Sequence, residues 1–159
     1  MSREDKVKRL KQSALRYTAY RERAPKEVAD KLQEWDARPD EIAQLLKELK
    51  EENFIDEDRF ARAFCHDKFL FNKWGKYRIS REIKKYELPV TVVEQGLAYI
   101  DQEEYEKTLT QLAAQKWKKL NDPEIFKKKQ KTVNYLTQKG YESDLIWRMI
   151  SQLEKRDKT

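Results

Sequence analysis

The chain has 159 residues, of which 40% are charged, 38% hydrophobic and 11% aromatic. This small share of apolar material excludes a large compact core, and three glycines and four prolines supply few of the turns that β-hairpins need. We therefore expect an all-α protein, made either of one ordinary domain or of a short array of smaller units.

The formal net charge of +6 fits either a solvated basic surface or affinity for a polyanion or an acidic protein face. A single cysteine excludes an intramolecular disulfide and suits a reducing compartment. The sequence shows neither a run of about 20 apolar residues, which a bilayer span needs, nor the apolar core of a signal peptide. These features predict a cytoplasmic protein without a membrane contact.

Three helices are predicted in the first 52 residues. Residues 4–22 carry apolar side chains at helical spacing. Pro25 and Pro39 each suit the first turn of a further helix, where the missing amide of proline costs nothing. Val28 and Leu32 are expected to form the buried edge of the second helix.

The next segment repeats this order of a long, a short and a medium helix, over residues 57–73, 76–86 and 90–100. Asp56 is predicted to cap the first of these helices with its side chain. Gly75 is predicted to end it, because glycine tolerates the left-handed conformation that closes a helix.

The last segment is predicted to open with a helix over residues 103–119. The run Asp122-Pro123-Glu124 is then a start signal, with a capping side chain, proline at the first helical position and an acid behind it. Gly140 is expected to end this helix, and residues 143–156 to form the last one.

Apolar positions recur at fixed offsets along the chain. Five pairs coincide at an offset of 51: Val28 with Ile79, Leu32 with Ile83, Ile42 with Val93, Leu46 with Leu97, and Leu49 with Ile100. Three more coincide at 53: Ile83 with Leu136, Leu97 with Ile150, and Ile100 with Leu153. A single unit of this size buries little alone. We therefore predict an elongated, curved array of three tandem three-helix repeats, over residues 1–53, 54–101 and 102–159.

Charged residues are grouped in blocks along this array. Residues 40–58 hold eight acids against two lysines, and residues 68–85 hold seven bases against Glu82. Residues 116–131 hold seven bases against two acids. Two basic zones on successive repeats can follow an extended anionic groove.

Aromatic rings lie within the first basic zone, and helical spacing favours packing for most rings of the chain. The rings expected to pack are Trp35, Phe69, Trp74, Trp117 and Trp147. Tyr77 lies between Lys76 and Arg78 at a helix start, and we expect this ring to be exposed for contact, where an unpaired base could stack on it.

Groups for catalysis or metal binding are not clustered in the sequence. His66 is the only histidine, and its neighbour Cys65 has the wrong spacing to share a metal from one helix face. Cys65 is expected to be a small core residue. The glycines stand alone, so the sequence lacks a phosphate-binding glycine loop. We therefore expect neither enzyme activity nor a cofactor or metal.

Residues 56–64 are Asp-Glu-Asp-Arg-Phe-Ala-Arg-Ala-Phe, and residues 74–83 follow the pattern Trp-Gly-x-x-Arg-Ile-x-x-Glu-Ile. These stretches resemble the central signature of the RecX family of bacterial regulatory proteins, and residues 14–17 and 21–32 resemble its opening part. Many relatives have a Lys-Gly-Phe type of turn after the short helix. This chain departs from it at residues 35–37 and 86–88 and keeps it at residues 140–141.

The resemblance implies a non-enzymatic, monomeric modulator of the RecA recombinase in homologous recombination, DNA repair and the SOS response. RecX-like proteins bind the RecA filament on single-stranded DNA, lie in its helical groove, and restrain strand exchange and co-protease activity. The implied partners are thus the RecA filament and single-stranded DNA, contacted directly or through the filament.

The basic zones and the resemblance together predict a contact surface for the filament or its DNA. Its predicted residues are Lys73, Lys76, Tyr77, Arg78, Arg81, Lys84, Lys85, Lys127, Lys128 and Lys131. Packing roles are assigned to Phe60, Phe64, Ile79 and Ile83. Arg59 is expected either to pack or to join the contact, and an acid at its helix start is a candidate local partner.

Two other classes of function stay open. A direct DNA-binding protein is one, because three-helix units with a short second helix resemble helix-turn-helix modules. A helical scaffold for an acidic partner is the other.

Overall fold

A computed structural model describes residues 2–158. The helices of this part of the chain are α1 (Arg3–Tyr20), α2 (Pro25–Glu34), α3 (Pro39–Glu51), α4 (Glu57–Asn72), α5 (Lys76–Ile83), α6 (Val90–Ala98), α7 (Gln102–Lys119), α8 (Ile125–Lys139) and α9 (Ser143–Asp157). A 3-10 helix, Lys84–Tyr86, directly follows α5. Residues 2–158 contain no strand, so the all-α prediction is confirmed. Every α-helix except α8 begins within one residue of its predicted start.

Carboxylates near the helix starts satisfy free backbone amides, as the sequence predicts. Asp56 Oδ1 accepts a hydrogen bond of 2.9 Å from the amide of Arg59 and so caps α4. At the start of α2, Glu27 accepts 3.0 Å from the amide of Ala24. These bonds satisfy amides that have no acceptor within the helix.

The chain divides into two compact units. Unit 1 combines Met1–Phe64 with Ile83–Gly96, and unit 2 combines Cys65–Glu82 with Leu97–Thr159. The predicted repeat boundaries at residues 53/54 and 101/102, and the elongated, curved arrangement, stay predictions.

The core of unit 1 is formed by α1, α2 and α3. Its buried side chains are Leu10, Ala14, Val28, Leu32, Ala37, Leu45, Leu49 and Ile55. Val28 and Leu32 are fully buried, so the predicted inner edge of α2 is confirmed. In the remainder of unit 1, Phe60 packs edge-on against Tyr86, with ring centroids 4.9 Å apart.

The core of unit 2 is formed mainly by α7, α8 and α9. Large buried side chains are Tyr105, Leu109, Trp117, Leu136, Tyr141, Ile146 and Ile150. Thr132 is also fully buried, 53 residues after Ile79. Its hydroxyl donates a 2.9 Å hydrogen bond to the carbonyl of Lys128, which satisfies the polar atom at an otherwise apolar position.

The turns after α2, after the 3-10 helix and after α8 each have a residue in the left-handed conformation. These residues are Asp36, Glu87 and Gly140, with φ of 67°, 53° and 102°. The spacings between them, 51 and 53 residues, equal the offsets of the apolar repeat. The local geometry of the turn is therefore kept at residues 35–37 and 86–88, although glycine is absent there.

Gly75 does not end α4, and the sequence prediction for it is wrong. Lys73 takes the left-handed conformation, with φ of 57°, and closes the helix. Its amide donates 2.9 Å to the carbonyl of Phe69, and the amide of Trp74 donates 3.2 Å to that of Lys68. This is the bonding pattern of a helix end that glycine usually occupies.

Gly75 is needed instead for a close approach of two backbones in unit 2. A Cβ at this position would lie 2.3 Å from the carbonyl carbon and oxygen of Gly140. The amide of Gly75 donates 2.8 Å to the carbonyl of Lys139, and the amide of Tyr77 donates 3.0 Å to that of Gly140. A glycine is required here by space, not by its dihedral angles.

The predicted start of α8 is also wrong, because the helix begins at Ile125. Asp122 does not cap its first turn. Its carboxylate lies 2.7 Å from Lys131 Nζ and accepts a longer bond of 3.4 Å from the amide of Glu124. The ion pair with α8 holds the carboxylate ahead of the helix, so Pro123 stays outside the first turn.

Two further expectations need correction. Trp147 is 44% exposed, whereas Trp117 is buried as predicted, and Trp35 and Trp74 are half-buried. Arg59 pairs with Glu22, with Nε 2.7 Å from Oε1, and not with an acid at its own helix start. The partner is 37 residues away in sequence and is brought close only by the packing of unit 1.

We predict that Gly75→Ala destabilises the protein by about 3 kcal/mol, because the added methyl group meets backbone atoms that cannot rotate away. Urea unfolding followed by circular dichroism measures this change. Asp36→Gly is the matched control, and it should be neutral or slightly stabilising, because glycine adopts positive φ more readily than aspartate. Equal stability of Gly75→Ala and the unmodified chain would show that the backbones do not meet.

The ion pair of Arg3 with Glu41 joins α1 to α3 and gives unit 1 a pH-dependent contact. Arg3 Nε lies 2.7 Å from Glu41 Oε2, and the amide of Arg38 donates 2.8 Å to Oε1. The Arg3 guanidinium and then the Arg38 amide hold the pKa of Glu41 to about 2, below its ordinary value of 4.5.

Because this pKa is lowered on folding, the stabilisation is present above about pH 4.5 and is lost as the pH falls toward about 2. We predict that Glu41→Gln lowers the melting temperature at neutral pH, and that its difference from the unmodified chain narrows over this interval. Thermal melts at several pH values measure this effect. A difference that stays constant down to the lowest pH would contradict the assignment.

Candidate partner-binding surface

The predicted contact residues fall into three groups on the described structure. Lys73, in the α4–α5 turn, and Lys76, Tyr77, Arg78 and Arg81, on α5, belong to unit 2, and we call this group the α5 surface. Lys84 and Lys85 lie on the 3-10 helix, in unit 1. Lys127, Lys128 and Lys131 lie on α8, in unit 2.

Two buried tyrosines hold the turn from which the α5 surface begins. The hydroxyl of Tyr105 accepts 2.9 Å from the amide of Lys76 and donates to the carboxylate of Glu142. The hydroxyl of Tyr141 donates 2.9 Å to the carbonyl of Lys73, and the two rings lie 5.2 Å apart. The first amide of α5 and the residue that closes α4 are thus held by two buried tyrosines in the core of unit 2.

Both tyrosines stay protonated for a physical reason. Burial raises the pKa of Tyr105 above its ordinary value, and the neighbouring Glu142 carboxylate raises it further. Burial likewise raises the pKa of Tyr141. Each hydroxyl therefore keeps the proton that it donates to its acceptor.

Lys76 and Arg78 are partly engaged within unit 2. Lys76 Nζ lies 3.3 Å from Gln102 Oε1 and 5.0 Å from the ring centroid of Tyr105. The Arg78 guanidinium lies 4.4 Å from the ring centroid of Trp74 and donates 3.5 Å to the carbonyl of Gln138. Arg78 Nε is buried without a hydrogen-bond partner among the described residues. Arg78 therefore contributes more to holding α5 in place than to free positive surface.

Lys73 and Arg81 are the free charges of the α5 surface. Both are exposed, and neither side chain has an ion-pair or hydrogen-bond partner among residues 2–158. The ring of Tyr77 is 64% exposed. The α5 surface thus offers two uncompensated cations and an aromatic ring on a backbone that the tyrosines anchor.

The cations of α8 differ, because each is paired with an acid. Lys127 Nζ lies 3.7 Å from Glu124, Lys128 Nζ 3.8 Å from Asp157, and Lys131 Nζ 2.7 Å from Asp122. Their charge is largely compensated within unit 2. An anionic partner would have to compete with these acids.

Lys84 and Lys85 are exposed on the 3-10 helix. Lys85 Nζ lies 5.2 Å from the ring centroid of Tyr86, and Lys84 has no ion-pair partner in the part of the chain that the structure describes. They add positive charge to unit 1 directly after α5 in sequence.

The residues considered for catalysis have different environments. Cys65 is buried, and burial raises the pKa of its thiol to about 12, so the thiolate needed for nucleophilic attack does not form at neutral pH. His66 is exposed beside Asp67, with Nδ1 3.4 Å from Oδ1. The described residues contain no group of three or more His, Cys, Asp or Glu side chains placed to hold a metal.

Within residues 2–158, none of the helices combines the length and the apolar character that crossing a membrane requires.

The sequence analysis missed a second basic surface, on α1 in unit 1. Lys6, Arg9 and Arg16 lie there beside Trp35 and line surface cavities. Their spacing of three and seven residues is the signal that could have identified one helix face. Residues 6–21 also hold six bases and no acid, so a count of charge along the sequence would have found this surface as well.

Three family models match this chain in order. Their descriptions are "RecX, first three-helix domain" for residues 11–49, "RecX, second three-helix domain" for residues 56–97, and "RecX, third three-helix domain" for residues 103–150. Together they cover most of the chain.

Curated relatives carry the same name. The regulatory protein RecX of Oceanobacillus iheyensis is 26% identical over 145 residues, which are 91% of this chain and 53% of the relative. That of Geobacillus sp. (strain WCH70) is 28% identical over 96% of this chain and 56% of the relative. That of Clostridium perfringens (strain 13 / Type A) is 26% identical over 98% and 73%. The chain thus spans about half the length of the first two of these relatives.

Solved structures have the same fold. The crystal structure of RecX from Lactobacillus salivarius matches 95% of this chain and 98% of its own, with a TM-score of 0.88 and 22% identity. A second crystal structure, of regulatory protein RecX, matches 94% and 73%, with a TM-score of 0.83 and 22% identity. At this identity the likeness shows the fold alone.

We predict that Tyr105→Phe destabilises the protein by about 2 kcal/mol, because it leaves the partly buried amide of Lys76 and the Glu142 carboxylate without their partner. Amide hydrogen exchange at Lys76 should also become faster. Chemical denaturation and exchange measured by NMR test both effects. Tyr77→Phe is the matched control, since that ring is exposed, and should change neither quantity. Unchanged exchange at Lys76 in Tyr105→Phe would contradict the anchoring role.

Proposed function

Since the chain belongs to the RecX family of regulatory proteins, we propose that it binds the filament that the RecA recombinase forms on single-stranded DNA. In this proposal the protein lies in the helical groove of the filament and inhibits strand exchange and co-protease activity. It acts as a monomer in the cytoplasm, without catalysis or a cofactor.

The main support for the proposal is that two cations of the α5 surface are exposed and, within the described structure, unpaired. Lys73 and Arg81 are exposed and lack an ion-pair partner among the described residues. Uncompensated cations attract an anionic surface without first breaking an internal ion pair. Their charge speeds encounter with an acidic protein face or with phosphates.

The anchored turn supports the proposal in a second way. Tyr105 and Tyr141 hold the backbone on both sides of Gly75, so α5 loses little conformational freedom on binding. A surface that is already ordered loses less conformational entropy when a partner binds. Tyr77, with its ring 64% exposed, adds an apolar contact next to the charges.

The α8 cations have a smaller part in the proposed contact. Lys127, Lys128 and Lys131 each face an acid, and an exposed ion pair of this kind leaves little net charge for a partner. We keep them as an outer extension of the surface, while the main contribution comes from the α5 surface. Lys84 and Lys85, in unit 1, are kept as proposed contact residues.

We predict that Lys73→Gln/Arg81→Gln weakens binding to RecA filaments on single-stranded DNA about tenfold, and reduces inhibition of strand exchange at a fixed concentration in parallel. Removing two free cations lowers the attraction without disturbing the core, because neither side chain has a partner within the described structure. Surface plasmon resonance on immobilised filaments and a strand-exchange assay measure the two effects.

Lys107→Gln/Lys155→Gln is the matched control. Both lysines are exposed in unit 2, lie outside the α5 surface, and have no ion-pair partner among the described residues. The control removes the same charge and should leave binding nearly unchanged. Equal weakening by the two double variants would show that net charge alone drives the contact. Unchanged inhibition in Lys73→Gln/Arg81→Gln would remove the α5 surface from the proposal.

A further inference from the structure

A groove lies along one side of α1 in unit 1, far in sequence from the α5 surface. Lys6, Arg9, Ser13, Arg16 and Tyr20 are spaced by three and four residues, so they share one helix side. At the rise of an α-helix, this row is about 21 Å long.

Two shallow, open surface cavities lie side by side along this row. One of about 350 Å³ is lined by Lys6, Arg9, Leu10, Ser13 and Trp35. The other, of about 420 Å³, is lined by Ser13, Arg16, Tyr17, Tyr20, Arg23 and Trp35. Because the cavities share Ser13 and Trp35, they form one continuous feature, which we call the α1 groove.

The cations of the α1 groove are not compensated by acids. Lys6 and Arg9 have no ion-pair partner in residues 2–158, and the bond of Arg16 is to the neutral Ser13 hydroxyl, at 3.2 Å. Lys11, on the side of α1 that faces α3, differs. Its Nζ lies 3.2 Å from Glu48 and 3.0 Å from Glu52. The acids of unit 1 thus neutralise one side of α1 and leave the groove positive.

Aromatic rings form the second component of the groove. Tyr20 is 84% exposed, and Trp35 is half-buried with its ring 6.3 Å from that of Tyr17. The Arg23 guanidinium stacks on Tyr17 at 3.8 Å and donates 3.0 Å to the carbonyl of the same residue. The Arg23 guanidinium also lies 5.8 Å from the Tyr20 ring centroid, and Lys31 Nζ lies 5.9 Å from that of Trp35. Tyr20 stays largely exposed and Trp35 partly so, which leaves ring surface for a ligand.

We propose that the α1 groove binds a short segment of single-stranded nucleic acid by itself, in the absence of a recombinase. Lys6, Arg9 and Arg16 hold the phosphates, and bases stack on Tyr20 and Trp35. A positive groove interleaved with aromatic rings is the arrangement that binds single strands without sequence preference. Its length matches about six nucleotides of a stacked strand.

The exposed aromatic rings favour a nucleic acid over an acidic peptide as the ligand of the α1 groove. Either polymer would satisfy the three cations. A peptide side chain needs a pocket that encloses it, whereas Tyr20 offers an open ring face, with 84% of its surface exposed. A planar base covers such a face, and every base has one.

The test uses the full chain and a fluorescein-labelled thymidine oligomer of about 12 nucleotides, long enough to cover the groove. Fluorescence anisotropy is measured at several salt concentrations without recombinase. We expect binding at low salt. Arg9→Gln/Arg16→Gln should weaken it and lower the slope of log affinity against log salt by about 1.4, since each lost phosphate contact contributes about 0.7 on a single strand. Tyr20→Ala should weaken binding about tenfold and leave the slope unchanged.

Lys8→Gln/Lys47→Gln is the charge-matched control. Both lysines are exposed in unit 1, line neither cavity of the groove, and are unpaired within the described part of the chain. The control variant should change the affinity for the oligomer, and the slope of log affinity against log salt, much less than Arg9→Gln/Arg16→Gln does. Circular dichroism of each variant checks that the fold is kept.

Three results would overturn the proposal. They are the absence of binding at low salt, equal weakening by the control, and displacement of the oligomer by an equimolar peptide of glutamate and tyrosine. The last result would make the α1 groove a site for acidic peptides. None of them bears on the proposed filament contact, whose test requires the recombinase and uses variants of unit 2.

Discussion

The contact between two backbones at Gly75 and Gly140 is the constraint on which unit 2 depends. The amides of Gly75 and Tyr77 donate hydrogen bonds to the carbonyls of Lys139 and Gly140, at 2.8 Å and 3.0 Å. Only two residues without side chains can come so close. Tyr105 and Tyr141 bind the same turn from within the core. The direction in which α5 leaves the turn, and therefore the placement of Lys73, Lys76 and Arg81, follows from this contact.

This chain has many charged side chains and little apolar material, and ion pairing determines which of its positive charges are available to a partner. Cations that face a carboxylate are compensated, as Lys11 is by Glu48 and Glu52 and Lys131 is by Asp122. Such exposed pairs add little to stability. They do decide which positive charges remain for a partner. Among the positive charges that remain in the described structure, those of the α5 surface and of the α1 groove each lie beside an exposed aromatic ring.

The helices could be predicted from sequence because their signals are local. Proline at the first position, as at Pro25 and Pro39, and a carboxylate that caps an amide, as at Asp56, act within one helical turn. The apolar repeat at offsets of 51 and 53 predicted buried positions correctly at Val28, Ile79 and Leu136. The proline and capping signals act within one turn, whereas the repeat is found by comparing segments about 50 residues apart.

The sequence by itself determined the all-α class, the helix starts other than that of α8, and the resemblance to the RecX family, since local periodicity and short motifs carry that information. Only the tertiary structure decided the role of Gly75, because the backbone of Gly140 leaves no room for a side chain there. It likewise decided that the partner of Arg59 is Glu22. It also decided which cations are free, because compensation depends on acids far away in sequence. A count along the sequence finds seven bases in each of the zones that contain α5 and α8. The folded structure distinguishes the two zones, because a charge interacts with the charges that lie near it in space, however far away they are in sequence.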